Sequence, residues 1–104
     1  MSEYVPDRWV VLEINTGKEL IRKVFAGWYG GYADGDSWKL NSGNKAETEF
    51  DDRWEFDGYS GSKYICYKNN YGMGSYMGQV LSGWTKEMPD GAAITIVEDY
   101  HVHV

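Results

Sequence analysis

Ala26-Gly27-Trp28-Tyr29-Gly30-Gly31-Tyr32-Ala33-Asp34-Gly35-Asp36-Ser37-Trp38-Lys39-Leu40-Asn41-Ser42-Gly43 ends one strand, turns on glycine and aspartate, and opens the next. It gathers Trp28, Tyr29, Tyr32 and Trp38 around a turn made of Gly30, Gly31, Asp34, Gly35 and Asp36. Large aromatics bring buried area and stiffness, while glycines let the backbone bend or approach another group closely. The stretch holds no catalytic signature. It predicts an aromatic, Gly-lined surface.

On its N-terminal side, residues 19–29 read as a strand with Val24, Ala26 and Trp28 on one parity and Ile21, Lys23, Phe25 and Tyr29 on the other. Both faces are partly apolar, which predicts a central strand covered on both sides, with a bulge near Gly27 as a further option. Asn15-Thr16-Gly17-Lys18 is a turn, so a hairpin joins this strand to residues 8–14. There Val10, Leu12 and Ile14 alternate with Trp9, Val11 and Glu13, the period of a half-buried strand. Residues 1–7 read as a short polar lead-in.

On the C-terminal side, Trp38 and Leu40 point inward from a third strand over residues 37–41. Residues 41–52 are the most polar stretch and read as a solvated loop or a weak strand. Trp54 and Phe56 alternate with Arg53, Glu55 and Asp57 in the next strand. Gly58-Tyr59-Ser60-Gly61-Ser62 then turns into a strand with Tyr64 and Cys66 on one face and Ile65 and Tyr67 on the other. The period changes after Gly74: Tyr76, Met77, Val80, Leu81 and Trp84 fall at helical spacing, with Ser75 placed as N-cap. Gly78 and Gly83 each weaken that helix by roughly 1 kcal/mol relative to Ala, so it must lean on tertiary packing. Pro89-Asp90-Gly91 ends it, and residues 92–100 form a last strand with Ile94 and Ile96 on one face. The expected fold class is therefore α+β: a curved antiparallel sheet of five or six strands, half-rolled toward a barrel, with one helix before the last strand.

The totals agree with a small domain. At 104 residues the chain is read as a single domain, residues 1–104, because a second core would leave each half too small to stabilise itself. Five Trp, nine Tyr and three Phe stand in for sparse Leu, Ile and Val, which predicts an aromatic, strand-rich core. A net charge of −6 argues against direct nucleic-acid binding, which wants a basic face. The single cysteine, Cys66, forbids an internal disulfide and gives no metal spacing. No apolar run approaches the roughly 18 residues of a membrane span, and the N-terminus lacks a basic-then-apolar leader. The expected compartment is a reducing cytoplasm, with no membrane association.

Several fragments of known motifs stop short. Asp34-Gly35-Asp36 begins like a calcium loop, but no third ligand or closing Glu follows. Gly58 to Ser62 misses the last glycine of a nucleophile elbow and lacks the following helix. His101 and His103 would share one face of a strand, but no third ligand is apparent, and a solvated tail is the preferred reading. Cys66 sits mid-strand as a small buried hydrophobe. Glu47, Glu49, Asp51, Asp52, Glu55 and Asp57 crowd one third of the chain, either as an ordinary solvated edge or as a row that imitates a phosphate backbone; the solvated edge is preferred. No enzyme, metal or cofactor is therefore expected. The candidate binding residues are Trp28, Tyr29, Tyr32, Trp38, Asn41, Tyr59 and Tyr64, as walls and hydrogen-bonding groups of a pocket or simply as core.

The run from Phe25 through Ala26-Gly27-Trp28-Tyr29-Gly30-Gly31-Tyr32, then Gly35 through Gly43, resembles small accessory proteins encoded by tailed bacteriophages. Tyr59-Ser60-Gly61-Ser62-Lys63-Tyr64, followed by Cys66 and Tyr71-Gly72, fits the same resemblance. It carries over no activity and no catalytic residue. It implies a viral protein in the host cytoplasm that acts by binding host machinery or its signalling molecules. The expected function is non-enzymatic binding of a host protein. The alternative is a small-molecule binder for a nucleotide-like ligand stacked between Trp28, Tyr29 and Trp38. An open sheet also leaves edges through which a homodimer could pair.

Overall fold

The protein's structure, a computed structural model, describes residues 2–31, 35–97 and 100. Among these residues eight strands and one α-helix follow in the order β1 (Glu3–Tyr4), β2 (Arg8–Asn15), β3 (Leu20–Gly31), β4 (Gly35–Leu40), β5 (Asn44–Glu49), β6 (Arg53–Gly58), β7 (Lys63–Tyr67), α1 (Ser75–Glu87) and β8 (Ala93–Val97). A tight helical turn, Lys68–Asn70, lies between β7 and α1. The class is α+β, dominated by antiparallel pairing.

The expected single curved sheet is corrected to two four-stranded sheets, ordered β4-β3-β2-β8 and β1-β7-β6-β5, and neither closes into a barrel. The reason lies in β2 and β3. The half-buried reading of β2 underestimated it: Trp9 and Val11 are as buried as Val10 and Leu12. In β3, Val24 and Ala26 are buried on one face and Phe25 on the other, as its two-sided pattern predicted. A sheet apolar on both faces needs two covers, and a single sheet with one helix supplies only one. The aromatic strands β6 and β7 therefore fold over as a second sheet. Trp9, Val11, Val24 and Ala26 meet Phe56, Tyr64, Cys66 and Tyr100 between the sheets. Val10, Leu12 and Phe25 meet Met77, Val80, Leu81 and Trp84 of α1 on the opposite face.

One strand was missed, and one was left open between a loop and a weak strand. The lead-in forms β1, which pairs in parallel with β7 through Glu3 opposite Lys63 and Tyr4 opposite Tyr64. The polar stretch after Asn41 forms β5 at a sheet edge, paired with β6 and carrying a register shift between Asn44 and Ala46. Its alternation was invisible because its residues are nearly all exposed. The irregularity expected near Gly27 falls between Trp28 and Gly31 instead. Gly27 has another use: a Cβ there would run into the side chain of Met77, so the glycine lets α1 close on the sheet. Gly74, not Ser75, is the residue that caps α1, and no side-chain hydrogen bond serves the cap. The helix is held by its apolar stripe, with Pro89 just past its end. The last strand is described over Ala93–Val97, with Ile94 and Ile96 on the helix side; residues 98 and 99 of the expected strand lie outside the described residues.

Candidate functional site

The candidate residues separate along the pleat of β3 and β4. Trp28 faces the second sheet, where its indole N–H donates to the carbonyl of Val5 at 3.0 Å and its ring meets Tyr4 edge-on at 6.2 Å. Trp38, opposite Gly27 in the pairing, faces α1 instead, with its ring 5.9 Å from Phe25 and 5.0 Å from Trp84. Trp28 and Trp38 therefore cannot wall one pocket. Tyr64 is buried between the sheets, tilted against Tyr4, and burial pushes its phenol up. Tyr32 and Asp34 lie outside the described residues, as do His101 and His103.

Asn41 is a structural polar residue. It is buried, and its Oδ1 accepts from the backbone N–H of Val24 at 2.9 Å and of Gly43 at 3.2 Å. Its Nδ2 donates to Asn44 Oδ1 at 2.7 Å. The amide is thus spent on tying the chain that crosses from β4 to β5, as a buried polar group must be.

Tyr29 and Trp38 do share a side, and Tyr76 joins them. Tyr29 and Tyr76 line one dimple with Gly27, Trp28, Ser37, Gly74 and Met77, where α1 begins. The Tyr29 ring lies on the bare backbone of Gly74, 3.0 Å from where a Cβ would stand. Its backbone N–H donates to Asp7 Oδ2 at 2.9 Å, which fixes the strand end that carries it. Tyr29 is 53% exposed, Tyr76 39% and Trp38 36%. Tyr29 and Tyr76 are therefore left partly wet together at the start of α1, while Trp38 is partly exposed farther along the helix, against Trp84. Tyr76 was read only as part of the helical stripe; Met77, Val80, Leu81 and Trp84 fill that stripe without it, and this was the signal that it stands at the stripe's edge.

A second feature lies at one open end of the two sheets. A groove of about 570 Å³ is lined by Glu19, Leu20, Ile21, Arg22, Ser42, Asn44 and Tyr59. Behind it runs a polar chain between sheets. Arg22 donates from Nε to Glu13 Oε2 at 3.3 Å and from Nη1 to the Tyr100 hydroxyl at 2.8 Å. Tyr100 donates to Glu47 Oε1 at 2.6 Å, and Asn44 Nδ2 to Glu47 Oε2 at 2.9 Å. Burial and the adjacent Glu47 push the Tyr100 phenol far up, so it stays a donor. Hydrogen bonding to Tyr100 holds the Arg22 guanidinium up as well. No sequence signal joins Glu13, Arg22, Glu47 and Tyr100, because they come from four separate segments.

The acidic residues of the middle third are mostly engaged at home. Glu49 pairs with Lys68 at 2.6 Å, Asp52 and Glu55 each with Arg53 at 2.8 Å, and Asp57 with Lys63 at 3.8 Å. Arg53 also covers the Phe50 ring at 4.2 Å. A row whose charges are answered by its own sheet makes a poor imitation of a phosphate backbone, and the solvated-edge reading gains. Cys66 is buried, and burial pushes its thiol well above the range where a thiolate forms. Among the described residues no group of three or more His, Cys, Asp or Glu could hold a metal ion. Among them, too, no helix is long and apolar enough to cross a membrane.

Taken together, the layers and surfaces define a small α+β protein with an aromatic patch on one side and a polar groove at one end. Comparison of the chain with protein-family models, curated proteins and solved structures finds no match.

Proposed function

We propose that the protein is a non-enzymatic binding protein that docks another protein on the patch of Tyr29 and Tyr76, with Trp38 farther along the same side. The observation that carries this reading is the pair Tyr29 and Tyr76, both partly exposed and lining one dimple at the start of α1, with Trp38 partly exposed farther along the helix against Trp84. Tyr and Trp in such a setting combine large area with few rotatable bonds, which is why they dominate interface energetics. The partner surface is basic and apolar: the chain carries a net charge of −6, Asp7 stands beside Tyr29, and aromatic faces attract Arg and Lys. In keeping with the resemblance to phage accessory proteins, the partner is a host protein in the bacterial cytoplasm. A second copy of this chain is the competing occupant.

The test uses the purified protein as bait, followed by titration of whatever purified partner dominates. Tyr29→Ala and Tyr76→Ala should each weaken that complex by about thirtyfold, as hot-spot truncations do. Tyr67→Ala, on the outer face of the other sheet, should leave it unchanged. Affinity should fall as salt is raised, since part of the attraction is electrostatic. A partner held equally well by the patch variants sinks the proposal. So does sedimentation showing that the patch variants abolish only a homodimer.

A further inference from the structure

We propose that the groove between the two sheets is a binding site for a neutral sugar, with Tyr59 as its stacking platform. This site is separate from the aromatic patch and does not depend on the reading of that patch. Its volume of about 570 Å³ falls within the ~300–1,000 Å³ span of small-molecule sites.

Tyr59 is 69% exposed, yet its ring is not loose. Its backbone N–H donates to the carbonyl of Gly43 at 3.2 Å, and the ring sits on Gly43, 3.1 Å from where a Cβ would stand. Gly43 has φ +122°, a conformation that suits glycine, so bare backbone lies under the ring by design of the turn. The Cδ2–Cε2 side of the phenol thus rests on the turn, and the rest is offered to the groove. Ser42 is fixed beside it, donating to Ser60 Oγ at 3.1 Å while accepting from the Ser60 N–H at 2.9 Å.

The charges choose the ligand class. Arg22 is the cation of the lining, but Glu13 already engages it, and Glu47 stands behind with Glu19 at the rim. A phosphate or nucleotide would meet surplus negative charge. A cation would meet the guanidinium, with both Glu47 oxygens already accepting hydrogen bonds. A neutral polyhydroxyl compound fits both constraints. Its C–H face stacks on Tyr59, and its hydroxyls donate to the Glu19 carboxylate and accept from Arg22 and Asn44. The chain from Asn41 through Asn44, Glu47 and Tyr100 to Arg22 holds Arg22 and Asn44 in place before any ligand arrives.

The experiment is a titration of isotope-labelled protein, followed through its backbone amide resonances. The probes are methyl glycosides of glucose, galactose, mannose and N-acetylglucosamine and the corresponding disaccharides, with ATP and choline as anionic and cationic comparisons. Saturable shifts at Ile21, Gly43, Asn44 and Tyr59 with a sugar, weakened about tenfold in Tyr59→Ala and unchanged in Tyr29→Ala, support the site. The proposal is overturned if no sugar saturates those amides, if ATP or choline does so in place of the sugars, or if Tyr59→Ala binds sugar as well as the parent protein.

Discussion

The carboxamide of Asn41 and the backbone of Gly43 settle how the chain passes from one sheet to the other. Asn41→Ala removes the acceptor for two backbone N–H groups and a donor to Asn44. Stranding buried donors costs about 1–3 kcal/mol each, so the urea midpoint should fall clearly with the slope unchanged. Gly43→Ala forces a side chain into φ +122° and against the Tyr59 ring; we expect a loss of about 1–3 kcal/mol in the same assay. An Asn41→Ala variant as stable as the parent would show that the amide is not the tie described. Asn41 was legible in the sequence as a polar residue of note, but not as a buried one. Its partners Val24 and Gly43 lie on either side in the chain, and only folding brings their N–H groups to one oxygen.

At the scale of elements, the helix and the strand it covers make opposite demands on glycine. Gly78 and Gly83 lie in α1 with open space where a Cβ would go. Ala at either position should raise stability by about 0.5–1 kcal/mol through helix propensity and a less flexible unfolded chain, readable as a higher melting temperature. Gly27→Ala should do the reverse, because the new methyl would displace Met77 from the sheet and open the helix side of the core. A Gly27→Ala protein that melts no earlier would mean α1 can reseat at little cost. The helix and the strands β2, β3, β6 and β7 were legible because their apolar spacing matches one period over several residues. β5 was legible only as a choice between loop and weak strand, since an edge strand exposed on both faces has no apolar alternation to display. The sharing of one side of the sheet by Tyr29 and Trp38 was legible only in part. The pleat fixes that Trp28 and Trp38 fall on opposite faces, but that depends on the pairing of Gly27 with Trp38, a tertiary fact.

For the molecule as a whole, one paired carboxylate and three buried thiol or phenol groups shape how stability depends on pH. Glu55 is held below its ordinary 4.5 first by Arg53 and then by Lys63, so its contribution is present above that value and lost as pH falls through the lowered one. Burial raises Cys66 above its ordinary 9.0, and Tyr64 and Tyr100 above their ordinary 10.0. Their contribution is complete below those values and is lost as pH climbs toward the raised ones. The melting temperature should therefore be level across neutral pH and decline above about 9. Tyr100→Phe should blunt the part of that decline that begins near 10. An unchanged alkaline limb in Tyr100→Phe would remove Tyr100 from the explanation.

By itself the sequence determined the α+β class, the aromatic character of the core, the two-sided burial of β3, and the placement of the helix before the last strand. These follow from local periodicity and composition, which act over a few residues and survive without knowledge of neighbours. Tertiary structure alone decided that there are two sheets and not one, that Asn41 and Tyr64 are inside while Tyr29 and Tyr59 are outside, and that Glu13, Arg22, Tyr100 and Glu47 join in one chain of hydrogen bonds. Each of these depends on which surfaces meet. An aromatic residue satisfies the core and an exposed patch equally well, so its side of the boundary is set by the packing of segments far apart in the chain.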